Sequence, residues 1–316
     1  PTCWSTAASA RARPGEPFTM TQHLLPPGGG MSISRLLGSL FLLALGSTTL
    51  RAQIPRNWTD SIAPFRLIDN VYYVGSAGLG AYLITTPAGH ILLDVGLPAN
   101  APMVERSITA LGFALRDVKI ILNTHAHHDH AGGIAQLKRS TGARLLASAG
   151  DRGALEGGVY VGSEEDVSLR FPPVTVDSTI ADRQPITMGG VTLTAHITPG
   201  HSRGCTTWTM PVTSDGARHT AVFFCSASVA ANRIGPRNPQ YPGIVADYRR
   251  TFARLQQLDA DVFLAPHAEF FNLQAKRVRL GGGGLNPFID PGALQRIAAR
   301  MKADFEKELV RQASKD

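Results

Sequence analysis

The apolar run Lys119-Ile120-Ile121-Leu122 leads into Thr124-His125-Ala126-His127-His128-Asp129-His130-Ala131-Gly132-Gly133, four histidines and an aspartate within six residues. The run has the length and branching of a short buried strand. A helical pattern around Ile134 and Leu137 follows the two glycines. Strand, polar loop and helix in that order put the cluster at the C-terminal end of a strand, where α/β proteins gather their sites. Imidazole with carboxylate is the ligand set of borderline divalent metals, zinc above all.

Two later histidines sit in the same kind of place. His201 follows the alternating run Val191–Ile197 and the turn Pro199-Gly200, and His267 follows Asp261–Leu264 and Pro266. Strand ends at one edge of a sheet converge, so the three segments can build one site. Further strands are predicted at Val71–Val74, Ala81–Thr85, Ile91–Asp94, Ile120–Asn123 and Ala143–Ala147, and as a hairpin over 206–210 and 220–224. Helices are predicted over Ala101–Leu111, Ala135–Thr141, Ala149–Glu156, Asp247–Leu258 and Pro291–Arg311. A polar, Gly-rich loop over 157–173 is expected to cover a site, and Gly281–Gly284 reads as a linker. Strands and helices recur in both halves, which predicts two α/β halves packed sheet to sheet with helices outside.

Apolar residues make up 43% of the 316-residue chain and charged residues 17%, a globular balance. Residues 1–30 are rich in Ala, Pro and Gly and fit read-through upstream of a start at Met31. From Met31 the order is a basic start with Arg35, an apolar run Leu36–Leu45 and a small-residue end, the layout of a secretory signal peptide cleaved after Ala52. The run is too short to span a bilayer. The expected domain is therefore 53–316, periplasmic or secreted, with no membrane contact in the mature form. The leader carries +3 of the formal +7, leaving +4 for the rest, with no basic run or aromatic-basic stripe of the kind nucleic acid requires.

Export implies an oxidising compartment. After Ala52 two cysteines remain, Cys205 and Cys225, spaced symmetrically about Asp215 in the predicted hairpin turn. Facing positions would let them form a disulfide; two free buried thiols are the alternative.

The His-x-His-x-Asp-His loop, the later Gly200-His201, the late Pro266-His267 and the early Asp94-Val95-Gly96 turn resemble the metallo-β-lactamase superfamily over about Val71–His267. Its hydrolases of the glyoxalase II type carry a bridging aspartate after the hairpin strand. Here the chain reads Val222-Phe223-Phe224-Cys225-Ser226-Ala227-Ser228, with no carboxylate. That, with Thr198-Pro199-Gly200-His201 through Trp208 and Tyr241-Pro242 before Asp247-Tyr248, is similar to subclass B3. The resemblance implies an αββα sandwich of two mixed sheets flanked by helices. It also implies two zinc ions, one held by His125, His127 and His201 and one by Asp129, His130 and His267. His128 points away in that loop and is not a ligand.

Three neutral imidazoles leave a zinc an open position for a water whose pKa falls to about 7. The implied reaction is hydrolysis of the β-lactam amide (penicillins, cephalosporins, carbapenems) by a zinc-bound hydroxide that Asp129 orients, giving antibiotic resistance. Asp94 is expected to brace the metal loop, and Ser226 and Ser228 to bind the substrate carboxylate. Trp58 and the Val159–Val161 stretch with Tyr160 are candidate apolar walls. Arg203 reads as a surface residue, His196 as a packed one, and His23, His90 and His219 as leader or surface residues. Subclass members often carry a further C-terminal disulfide; this chain has no cysteine after Cys225, so its last helix must be held by packing. A monomer acting on a small molecule is expected. The rivals are a lactonase or thioesterase of the same fold, and a non-catalytic periplasmic metal-binding protein.

Overall fold

The computed structural model describes residues 54–315. The upstream segment and the signal peptide read from the sequence lie outside the described residues. Seven strands form one sheet in sequential order: β1 (Phe65–Ile68), β2 (Val71–Tyr73), β3 (Tyr82–Thr86), β4 (Gly89–Leu93), β5 (Val118–Leu122), β6 (Arg144–Ser148) and β7 (Ser178–Ile180). The first four pair antiparallel and the last four parallel. A second sheet runs β12-β11-β10-β9-β8, built from β8 (Pro185–Met188), β9 (Val191–Ile197), β10 (Thr206–Ser214), β11 (Ala217–Phe223) and β12 (Val262–Leu264). There β11 and β12 are parallel and the rest antiparallel.

The strands of the first sheet read as nearly unbroken apolar runs because both faces are covered. Tyr82, Ile84, Ile91, Leu93 and Leu122 face the second sheet and meet Trp208, Met210 and Phe223 in one core. Their neighbours Leu83, Leu92 and Ile121 face outward onto helices α1 (Ala101–Ala110), α3 (Ile134–Thr141) and α4 (Ala149–Gly157). The other side of the sandwich is covered by α5 (Ile244–Leu255) and α7 (Ala293–Ala313), with α6 (Leu273–Arg279) as a short piece, while the single turn α2 (His128–Ala131) packs with the first set of helices. The αββα sandwich with two mixed sheets is the architecture expected. Phe305 holds α7 in place: it is fully buried, 5.0 Å from the Tyr248 ring and 5.6 Å from that of Phe252. Among the described residues no helix is long and apolar enough to cross a membrane.

The hairpin turn differs slightly from expectation. Trp208 faces Phe223 and Ser214 faces Ala217, so the register centres between Asp215 and Gly216, not on Asp215. Both turn residues have positive φ (51° and 77°), as a two-residue type I′ hairpin needs. Cys205 and Cys225 are thus one step out of direct opposition and lie just beyond the paired residues. They are nevertheless bridged, with Cα atoms 5.8 Å apart. Of the two histidines expected at the surface, one is buried and the other partly so. His90 is buried with its ring 4.9 Å from that of Phe113, and His219 pairs with Asp261.

Parallel pairing fixes where the loops go. β4, β5 and β6 all end at one edge of the first sheet, and β9, β11 and β12 all end at one edge of the second. Backbone bonds lock the two edges together. Gly80 N–H donates to Pro266 O (2.7 Å) and Thr206 N–H to Thr124 O (2.8 Å). The buried Tyr82 hydroxyl donates to Ala265 O.

Candidate metal centre

Two groups of potential ligands meet at this joint edge. The ligating atoms of His125, His127 and His201 all lie within 4.8 Å of one another, and so do those of Asp129, His130 and His267. His125 and His127 come from the loop after β5, His201 from the turn after β9, and His267 from the turn after β12. The single turn α2 carries Asp129 and His130, and Val95 and Gly96 N–H groups hold it through His130 O (3.0 and 3.2 Å). Its closeness explains the double glycine: a Cβ on Gly132 would lie 2.4 Å from Pro98 Cδ, and one on Gly133 would lie 2.4 Å from Val95 Cγ1.

Hydrogen bonds aim the rings. Ser228 O accepts from His201 Nδ1–H (2.8 Å), which leaves Nε2 as the free lone pair. The Thr124 hydroxyl bonds His125 Nδ1 (3.0 Å). His125 Nε2 and His201 Nε2 then face each other at 3.2 Å. In the other group His130 Nε2 and His267 Nε2 are also 3.2 Å apart, and Asp129 Oδ2 is 3.2 and 3.5 Å from them. In the first group two acceptor nitrogens face each other with no donor between them, and in the second a carboxylate and two rings converge; a cation satisfies both arrangements, so the residues present fit metal ions.

The electrostatics agree. Burial, reinforced by the neighbouring imidazoles, pushes His125 and His127 well below the ordinary imidazole range, and burial takes His201 to about 4 and His267 to about 3. These rings are neutral and able to ligate at pH 7. Burial works to raise the Asp129 carboxyl, but His130, His267 and His127 together hold it well below the carboxylate range. His130 moves the other way: burial lowers it, and Asp129 more than offsets this.

Asp94 ends β4 in the left-handed region at φ 57°, a conformation aspartate tolerates better than most residues. Fully buried, it accepts from Asn123 Nδ2–H (2.9 Å), Thr124 N–H (2.8 Å) and the Thr124 hydroxyl (2.6 Å). It therefore stands behind the same threonine that touches His125. Burial raises its pKa to about 6 against these bonds.

The sequence of the metallo-beta-lactamase superfamily, as a family model, matches residues 81–267, more than half the chain and every one of these six residues. The chain belongs to the metallo-beta-lactamase superfamily.

Solved members of the superfamily align over nearly their whole length. The subclass B3 enzyme BJP-1 of Bradyrhizobium japonicum is 47% identical, with 82% of this chain and 98% of that one covered and a TM-score of 0.80. The Cronobacter sakazakii metallo-beta-lactamase described by its HARLDQ motif is 44% identical (81% and 97% covered, TM-score 0.76). Here the hexapeptide from His125 reads His-Ala-His-His-Asp-His instead. Curated hydroxyacylglutathione hydrolases also match: that of Bradyrhizobium sp. strain BTAi1 is 41% identical over 66 residues, and that of Methylococcus capsulatus 27% over 180. The matches span 21% and 57% of this chain but only 24% and 58% of those relatives' own length.

Within this superfamily member the other sequence candidates fall as follows. His128 lies outside both groups, its Nδ1 3.8 Å from Asp129 Oδ1. The Tyr160 ring stacks on His127 at 4.3 Å, and Trp58 lies 5.3 Å from His267. Ser226 is buried and accepts from Ser228 N–H (3.2 Å), with the two hydroxyls also 3.2 Å apart. Arg203 is exposed, its guanidinium 5.1 Å from the Tyr241 ring. His196 bonds the Thr209 hydroxyl (2.8 Å), the packed role expected.

Two residues were missed. Asn232 is buried, donates to His201 O (3.0 Å) and accepts from the Tyr160 hydroxyl (2.8 Å), joining the covering loop to the His201 turn. It lies in an irregular stretch with no pattern to mark it. Asp151 is the other; its position just after β6, at the same sheet edge, was the available signal.

Proposed function

We propose that this protein is an exported metallo-β-lactamase that opens the amide bond of β-lactam antibiotics and so confers resistance. The observation that carries the reading is the joint edge itself: two complete three-residue groups, with Ser226, not an acid, in the segment that follows β11. Ser226 stands three residues beyond Phe223, as His267 stands three beyond its parallel partner Leu264. The near-complete coverage of a subclass B3 enzyme supports the same reading. The Cys205–Cys225 bridge fits an oxidising compartment.

His125, His127 and His201 would hold one zinc, and Asp129, His130 and His267 a second. Zinc bound there supplies Lewis-acid polarisation and activation of water near neutral pH. Asp129 turns Oδ2 toward His130 and His267, which leaves Oδ1 to accept a hydrogen bond from the attacking water and orient it. Ser228, half-buried beside His201, offers its hydroxyl to the substrate carboxylate, and the buried Ser226 hydroxyl supports it from behind. Tyr160 and Trp58 flank the site on opposite groups and exclude water from the bound ring.

The second reading is a thioesterase, which the matches to hydroxyacylglutathione hydrolases favour. Steady-state turnover of a penicillin, a cephalosporin, a carbapenem and a hydroxyacylglutathione thioester by the zinc-loaded protein separates the two. β-Lactam turnover is expected, with the thioester slower by orders of magnitude; thioester turnover alone would replace the first reading with the second.

A further inference from the structure

Asp151 lies in the first turn of α4, and its carboxyl group is buried. It does not cap its own helix. Oδ2 accepts from Ala126 N–H (3.0 Å) and from the Ser202 hydroxyl (2.8 Å), and Oδ1 accepts from Gly204 N–H (2.8 Å). Ala126 stands between His125 and His127, and Ser202 directly follows His201. One carboxylate therefore ties together both loops that supply the three-histidine group.

The packing around it leaves little slack. A Cβ on Gly204 would lie 2.4 Å from Asp151 N, and one on Gly150 would lie 2.6 Å from Arg203 O. Among the described residues no lysine or arginine forms an ion pair with Asp151. A buried carboxylate without a counter-cation is costly, and neutral donors offset only part of that cost. A neutral amide has one acceptor oxygen and could not serve all three donors, so the carboxylate is the group that joins them.

We propose that Asp151 is a positioning residue for the three-histidine group: it fixes the loop of His125 and His127 against the turn of His201, and so sets the convergence of their ring nitrogens. The proposal rests on the reading that this group holds a metal ion. Asp129, His130 and His267 share none of these bonds, so the effect of Asp151 is confined to the first group.

Asp151→Asn keeps the shape but turns an amide N–H toward a donor on one of the two loops, leaving that donor unsatisfied. Stepwise Co²⁺ titration of metal-free protein, followed by visible absorption and by competition with a chelator, reads each group separately. The expected result is an affinity about 10–100-fold lower at the three-histidine group, with an altered first-equivalent spectrum and an unchanged second group. Ser202→Ala removes one of the three bonds and should weaken the same group less, and it serves if Asp151→Asn does not fold. Asp182→Asn, the same change at an exposed carboxylate that accepts from Ile197 N–H, should leave both groups alone. Wild-type affinity at the first group in Asp151→Asn, or in Ser202→Ala should that stand in for it, would overturn the proposal, as would an equal loss at both groups. A wild-type chain that takes up no Co²⁺ would instead refute the parent reading.

Discussion

His125 and His201 each have their Nδ1 engaged, by the Thr124 hydroxyl and by Ser228 O. In His130 and His267 the Nδ1 atoms are buried without a hydrogen-bond partner among the described residues. The first group is thus backed by a polar layer of Asp94, Thr124, Asp151, Asn232 and Ser228. The second is held by backbone bonds to α2 and by rings, with Trp58 and Phe270 each 5.3 Å from His267, and its one charged group behind a ring, the exposed Glu269 carboxylate, stands 3.8 Å from His267 Nδ1, beyond hydrogen-bond length. Hydrogen bonds behind a ligand fix its tautomer and raise its basicity, whereas packing only fixes its place. On the proposed two-metal reading the first group would be the tighter and better-defined site, and the second the one that empties more readily.

That contrast can be broken in several ways. The largest effect is expected from His201→Ala, which opens the first group and removes a ring from the joint edge; hydrolysis should fall by orders of magnitude, read as kcat/KM. Retained turnover would mean that the second group alone does the chemistry. Gradual chelation should come next: metal leaves in two steps, the second group first, as atomic absorption of dialysed samples would record. Simultaneous loss would erase the distinction between the groups.

Asp94→Asn should weaken the first group by about 10–100-fold, because the Thr124 bonds behind His125 are lost or reversed. Asn232→Ala leaves the Tyr160 hydroxyl and His201 O short of a partner and should cost about 1–3 kcal/mol of stability, measured by denaturant unfolding, with the second group's affinity untouched. The smallest effect belongs to Trp58→Ala. It removes one packed ring beside His267 and should raise KM for β-lactams less than tenfold at nearly constant kcat.

The same physics decides what could be read from sequence. Central strands β3, β4, β5 and β6 are buried on both faces, so their apolar runs stand out and their ends located the histidines. β1, β7 and β8 went unpredicted, and all three are edge strands of three or four residues. Edge strands are kept short, and β8 opens on Pro185, so three or four residues give too little pattern to be recognised. The seven-residue α6 carries Lys276, Arg277 and Arg279 and is too short to show a helical period. The six clustered residues were legible because a metal demands a narrow set of side chains at strand ends. Asp151 and Asn232 were not, because buried hydrogen bonding accepts many residue types and only three-dimensional contact reveals the partner. His90 and His219 show the limit from the other side: nothing near them in sequence foretold Phe113 or Asp261.

In the proposed reaction two metal groups serve one hydrolysis. Zinc titration of the metal-free protein, with carbapenem or nitrocefin turnover followed at each addition, tests it most directly. No turnover is expected without metal, then a rise as zinc enters, full activity at two equivalents, and its loss on chelation. Full β-lactam turnover in the metal-free protein, or two bound zinc ions with no β-lactam turnover, would contradict it.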